Sequence, residues 1–156
     1  MLFYGDEAGY INDYSYKSDT AKSYDNRWMH RPIIDWSKNE KVDEPGTVEN
    51  RIFSGTKKLI QVRKSSRAFA DLKNLTWVAT YNDHVAAYLR TLDDEKIYCL
   101  FNFSSEPADI SWSVFRQHGP MSGDLEECIS GTHFQPLSAA ESLALPAYSV
   151  FVMKET

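Results

Sequence analysis

Val85-Ala86-Ala87-Tyr88-Leu89-Arg90-Thr91-Leu92, then Asp93-Asp94-Glu95, then Lys96-Ile97-Tyr98-Cys99-Leu100-Phe101-Asn102-Phe103 is the stretch that decides the fold. Two β-prone runs flank a short acidic turn, the signature of a tight hairpin. Alternation in the second run is only partial. Four successive apolar residues within it mark a central strand covered on both faces.

Working outward, further short runs punctuated by polar turns lie at Thr76 to Tyr81, Asp109 to Val114, Asp124 to Cys128 and Ser149 to Lys154. Pro146 marks the entry into the closing strand. Such spacing is the signature of an antiparallel β-sandwich or barrel over residues 71–156, and a domain of about eighty residues suits a small sandwich. Upstream, Val48, Ile52, Phe53, Thr56, Leu59, Ile60 and Arg63 recur at helical spacing, with Thr47 as N-cap. That helix is expected to end between Lys64 and Arg67. Residues 5–46 show neither a helical nor an alternating period and are rich in Tyr, Asp, Asn, Trp and Arg. An irregular stretch of this length points to function rather than filler.

Met1-Leu2-Phe3-Tyr4 is apolar and meets a turn at Gly5-Asp6 with nothing before it. It reads as the inside of a buried strand, so the chain is expected to be a fragment. Charge supports a division near residue 70: residues 1–70 hold 12 Lys+Arg against 10 Asp+Glu, residues 71–156 hold 5 against 12. The two parts carry +2 and −7. The net charge of −5 and a pI near 5.3 leave no basic footprint for nucleic acid. No apolar run approaches the length of a membrane-spanning helix. Two cysteines, Cys99 and Cys128, and no visible signal peptide lead to the expectation of reduced thiols in a cytoplasmic protein.

Several motifs carry a resemblance. Leu2-Phe3-Tyr4-Gly5-Asp6-Glu7-Ala8-Gly9 resembles the end of the eighth barrel strand of the α-amylase superfamily, glycoside hydrolase family thirteen. Asn12-Asp13-Tyr14-Ser15-Tyr16, Asp25-Asn26-Arg27-Trp28-Met29-His30-Arg31-Pro32 and Asp35-Trp36 resemble its amylosucrase and sucrose hydrolase branch. The helix, ending Leu59-Ile60-Gln61-Val62-Arg63, resembles the final barrel helix. Phe101-Asn102-Phe103-Ser104 matches a central strand of the C-terminal domain. The resemblance implies a mainly β fold: residues 1–70 as the last strand, loop and helix of a (β/α)8 barrel, and 71–156 as a Greek-key sandwich of the α-amylase C-terminal type.

The same resemblance implies a retaining mechanism in a parent enzyme acting on sucrose or α-glucan. There a carboxylate attacks the glucosyl carbon and an acid/base carboxyl, roughly 5 to 5.5 Å away, serves the leaving fructose. Those carboxylates fall upstream of Met1, so no catalytic residue is expected in this chain. Arg27 matches the pocket arginine, whose planar fork suits a carboxylate and sugar hydroxyls together. Asp13 and Tyr14, with Tyr16, are expected at the pocket rim. Asp6, Glu7, Asp25 and Trp28 are expected to anchor the loop. Asp6 and Glu7, adjacent on a strand, point to opposite faces and cannot share one substrate atom.

His30, His84, His118 and His133 lack metal-ligand spacing, so neither a metal nor a cofactor is expected. Trp77, Tyr81, Tyr88 and Trp112 are either core and cross-strand pairs or an exposed platform for sugar. Apolar residues of the first four positions and of the helix, left without a barrel, lead to an expected homodimer. The alternative to a non-catalytic piece of a sucrose-acting enzyme is a free-standing carbohydrate-binding or interaction module.

Overall fold

In the computed structural model, the residues described are 2–119, 121, 123–135 and 142–156. The chain divides into two compact units, Met1–Gln61 and Val62–Thr156. The division between these units falls inside the long helix, and Val62 and Ala68 are core residues of the second unit.

In the first unit, the apolar opening forms no strand. Residues 2 and 3 have no regular structure, Tyr4 and Gly5 make a turn, and Asp6–Ala8 is a 3-10 turn between two left-handed glycines, Gly5 and Gly9. Met1 lies outside the described residues. This corrects the expected strand, and the reason is physical: a strand exists through its neighbours, and Leu2, Phe3 and Tyr4 are exposed with none beside them. The loop that follows is built from 3-10 turns at Ser15–Ser18, Asn26–His30 and Lys41–Asp43, and from helix α1, Trp36–Glu40.

Helix α2 runs Val48–Ser65. Thr47 caps it, its hydroxyl accepting from the Asn50 amide at 3.1 Å. Gly9, at φ +65°, lies so close to Ile52 that a Cβ there would run into the isoleucine side chain. Of the predicted stripe, Ile52 and Phe53 are half-buried, whereas Val48, Leu59 and Ile60 are exposed.

The second unit is mainly β and wholly antiparallel. Its strands are β1 Leu75–Trp77, β2 Val85–Leu92, β3 Glu95–Asn102, β4 Ala108–Ser111, β5 Leu125–Glu127, β6 Thr132–Phe134, β7 Ser142–Leu145 and β8 Val150–Glu155. Six form one sheet in the order β1-β2-β3-β8-β5-β6, and β4 pairs with β7 in a second. Leu92 pairs with Glu95 across a two-residue turn, Asp93 taking φ +55°.

The apolar succession in β3 serves two cores. Tyr98 and Leu100 join Leu89, Ile110, Phe115, Leu143, Leu145 and Met153 between the sheets. Ile97 and Cys99 face the other way, against Val62, Ala68 and Val152.

Two strands end earlier than their sequence suggests. β1 stops at Trp77, before Tyr81 turns left-handed at φ +56°. The run to Val114 breaks after Ser111 into a short helix α3, Ser113–Arg116. Val114 and Phe115 are both fully buried, which neighbours on a one-sided strand cannot achieve, and Phe115 O accepts from the Tyr98 hydroxyl at 3.0 Å.

Candidate functional site

The residues singled out for a sugar pocket all lie in the first unit, in a loop held by short-range polar contacts. The Asp13 amide donates to Met29 O at 2.9 Å and bridges the loop. Asn12 Oδ1 lies 3.1 Å from His30 Nδ1. Further on, the Tyr10 hydroxyl accepts from the Asp35 amide at 2.8 Å and donates to Asn39 Oδ1 at 2.9 Å. Lys38 Nζ donates to Gly9 O at 3.0 Å and sits 4.5 Å from the Tyr10 ring centroid. Asp35 caps α1 by accepting from the Ser37 and Lys38 amides.

The best-defined pair is Asp25 with Arg27. The 3-10 turn places them two residues apart with Asp25 as its cap, the carboxylate accepting from the Arg27 amide at 3.0 Å. Arg27 Nε reaches Asp25 Oδ1 at 2.8 Å and Nη2 reaches Oδ2 at 2.8 Å, a bidentate fork. These hydrogen bonds to Arg27 hold the Asp25 carboxyl down to about 2. The arginine side chain is nevertheless 73% exposed. Its Nη1 makes no hydrogen bond among the described residues, so the fork is fixed by Asp25 while one nitrogen remains presented outward.

Other expected residues are placed separately. Asp13 accepts from the Ser15 amide at 2.8 Å, and the hydrogen bonds from Ser15 lower its pKa. Tyr14 is exposed, with Lys17 Nζ 5.3 Å from its ring centroid. Two cations lie near the Trp28 ring, Lys22 at 5.1 Å and Arg31 at 5.6 Å from its centroid. Asp6 accepts from the Phe3 amide at 2.8 Å and so ties back the opening turn. Glu7 follows it on a 3-10 turn, not a strand. The opposite-face argument for these two carboxylates therefore does not apply, and divergence around a 3-10 turn takes its place. An open concavity is lined by Tyr4, Arg31, Pro32, Ile33 and Ile34, and includes none of Asp13, Tyr14 and Arg27.

In the second unit, the tryptophans and tyrosines part company. Trp112 is core, 5.3 Å from Phe115 and 6.1 Å from Phe134 by ring centroids. Trp77 is exposed and meets Tyr88 edge-on at 6.1 Å across the β1–β2 pair. Tyr81 is exposed in the loop beyond. Cys99 and Cys128 are free thiols, and burial pushes Cys99 up to about 11, well away from a reactive thiolate. No group of three or more His, Cys, Asp or Glu suited to a metal ion occurs among the described residues. Nor is any described helix long and apolar enough to cross a membrane.

Two buried polar side chains organise the second unit, Glu127, which sequence reasoning passed over, and Asn102, which it placed only within a strand motif. Glu127 is buried and accepts from the amides of Ile129, Ser130 and Val152. Asn102, also buried, binds the loops at one end of the sheet.

Residues 75–152 match the family described as Maltogenic Amylase, C-terminal domain. Among solved structures, AmyP in complex with maltose is similar at a TM-score of 0.60 and 11% identity, over 68% of this chain and 20% of that one. A mutant of MutB in complex with glucose is similar at 0.53 and 23% identity, over 75% and 19%. A MutB mutant bound to its substrate sucrose gives 0.52 and 22%, over 75% and 19%. The likeness at these identities is one of fold, and the chain spans about a fifth of the length of those structures.

Proposed function

The chain belongs to the maltogenic amylase C-terminal domain family, and from that premise we propose that it is the C-terminal part of a larger sucrose-acting enzyme of the α-amylase superfamily, amylosucrase-like. Residues 71–156 supply the stabilising Greek-key β-domain. Residues 1–70 supply the end of a (β/α)8 barrel, including its last helix and a loop on the active-site side. The chain itself is structural and non-catalytic in this reading, and works in the cytoplasm.

One observation carries the proposal: the last turn of α2 is already part of the core of the second unit, where Val62 clusters with Ala68, Ile97, Cys99 and Val152. Coverage of 75% by MutB is more than residues 75–156 alone can supply, so the likeness of fold extends to chain preceding the matched domain. MutB is described as a trehalulose synthase with sucrose as substrate.

In the intact enzyme, Arg27 is the residue that meets the sugar pocket. Asp25 occupies Nε and Nη2 and fixes the plane of the guanidinium, leaving Nη1 for an upstream carboxylate or a glucosyl hydroxyl. Asp13 and Tyr14 stand at the rim, and Asp6, Glu7 and Trp28 hold the loop. Nucleophile and acid/base come from upstream, and the reaction passes through a glucosyl-enzyme.

The test is the reading frame upstream of Met1 together with sucrose turnover by its product. An in-frame barrel whose enzyme releases fructose supports the reading, and an isolated frame overturns it in favour of a free-standing module. For the chain on its own, exposed Leu2, Phe3, Tyr4, Leu59 and Ile60 support self-association as a homodimer, which light scattering at micromolar concentration measures.

A further inference from the structure

Three loops of the second unit are laced side by side at one end of its large sheet. The Phe103 amide donates to His84 O, the Tyr148 amide to Ser104 O and the Asn102 amide to Ser149 O, each at 3.0 Å. This end lies opposite the Asp93-Asp94 turn of the β2–β3 hairpin, to which the segment leading in from α2 is fastened: Glu95 accepts from the Ser66 hydroxyl and the Ala68 amide. Each loop presents one aromatic ring. Tyr81 is 85% exposed, Phe103 69% and Tyr148 72%.

Two of these aromatics sit on backbone that bulky side chains avoid, Tyr81 at φ +56° and Tyr148 at φ +49°. Glycine would adopt the same turns without strain, and nothing in the core requires either exposed ring. Backbone strain retained under an exposed side chain points to a use for that side chain. The lacing bonds hold the loops in place before any ligand arrives, and tyrosine loses little freedom on contact.

We propose that Tyr81, Phe103 and Tyr148 form a binding site for a neutral oligosaccharide chain. The charge pattern selects that class. Residues 79–84, 103–107 and 146–149 contain no Lys or Arg, and their charged side chains are the exposed carboxylates of Asp83 and Glu106. A phosphate, an acidic peptide or an anionic lipid surface would find no Lys or Arg there and would face two carboxylates. A sugar chain finds both parts of what it needs: aromatic rings for the C–H face of each pyranose, and carboxylate, amide and hydroxyl groups for its hydroxyls. The proposal stands apart from the catalytic reading, since no turnover is involved.

The experiment is titration of the whole chain with maltoheptaose and, separately, cellohexaose, followed by calorimetry and tyrosine fluorescence. Saturable millimolar or tighter binding of either sugar is expected. The double variant Tyr81→Gly/Tyr148→Gly removes both rings and relieves both left-handed residues, so it should keep or raise the unfolding midpoint while weakening binding at least about tenfold. Absence of binding by both sugars overturns the proposal, as does equal binding by the double variant. Loss of self-association in that variant, where the native chain binds neither sugar, makes the patch a contact between copies and also overturns it.

Discussion

The side-chain amide of Asn102 donates to the carbonyl oxygen of Pro146 at 2.9 Å. The same nitrogen reaches Glu106 O at 2.9 Å and Leu145 O at 3.2 Å, while Oδ1 accepts from the Ser104 amide at 2.9 Å. One buried residue thus serves the β3–β4 and β7–β8 connections together. Asn102→Ala should cost about 2–4 kcal/mol in urea unfolding, because carbonyl groups in a largely buried setting lose their donor. Asn102→Asp should cost more, since it sets a carboxylate against those carbonyls.

Glu127 makes a comparable case with the polarity reversed, one buried carboxylate serving three amides. Glu127→Ala should destabilise by about 3 kcal/mol, the typical value for bonds to a charged acceptor. Hydrogen exchange at Ile129 and Ser130 should accelerate in the same variant.

Acid should release the segment after α2. Burial on its own would raise the pKa of Glu95, and the Lys154 ammonium at 2.9 Å with the Ala68 amide and Ser66 hydroxyl overcome it, leaving it below the ordinary 4.5. A lowered carboxylate contributes its stability above that ordinary value and loses it as pH falls through the folded value. Lys154 is raised above 10.5, chiefly by its hydrogen bond to Glu95, so its share is present below 10.5 and lost as pH climbs past the folded value. Urea midpoints measured from neutral pH down through 4.5 should decline, and Glu95→Gln should flatten that acid limb.

Arg27→Ala should return the Asp25 pKa from about 2 toward the ordinary 3.8, a change read directly by NMR titration of the chain. If the chain completes a sucrose-acting enzyme as proposed, the same variant should lower sucrose turnover there by orders of magnitude, with Arg27→Lys unable to restore it because an ammonium has no fork. A parent indifferent to both variants would return Arg27 to the ordinary surface residues.

A piece spanning residues 62–156 should unfold cooperatively on its own. One beginning at Leu72 should be less stable, because it lacks Val62 and Ala68 from the core and both Ser66 and Ala68 from Glu95. Thermal midpoints of the two pieces make the comparison.

Where sequence and structure agree, two kinds of signal coincide. The β2–β3 hairpin had two β-prone runs and an acidic turn between them pointing the same way, and α2 had its stripe and the Thr47 cap. Disagreement follows where the deciding partner is remote or absent. Leu2 to Tyr4 has strand composition and no neighbouring strand, so it stays irregular. Val114 and Phe115 have strand propensity, and burial of both drives them into a helical turn. Thr132–Phe134 and Ser142–Leu145 are too short to stand out. In the loop, the motif singles out Arg27, and the structure adds a partner two residues away, Asp25. An Asp capping a turn that holds Arg at the next position but one was the available signal. Glu127 had none, since Glu126 beside it is the same residue and burial alone separates them.

Strand β8, which follows all the other described strands in chain order, sits in the middle of the six-stranded sheet, between β3 and β5. Its place in the order of synthesis is therefore the reverse of its place in the sheet. Until β8 has emerged from the ribosome, β1-β2-β3 and β5-β6 are two separate ribbons, each with an open edge able to pair with another chain. A nonsense codon anywhere near Val150 would leave a product that carries seven of the eight described strands and nevertheless has no completed sheet.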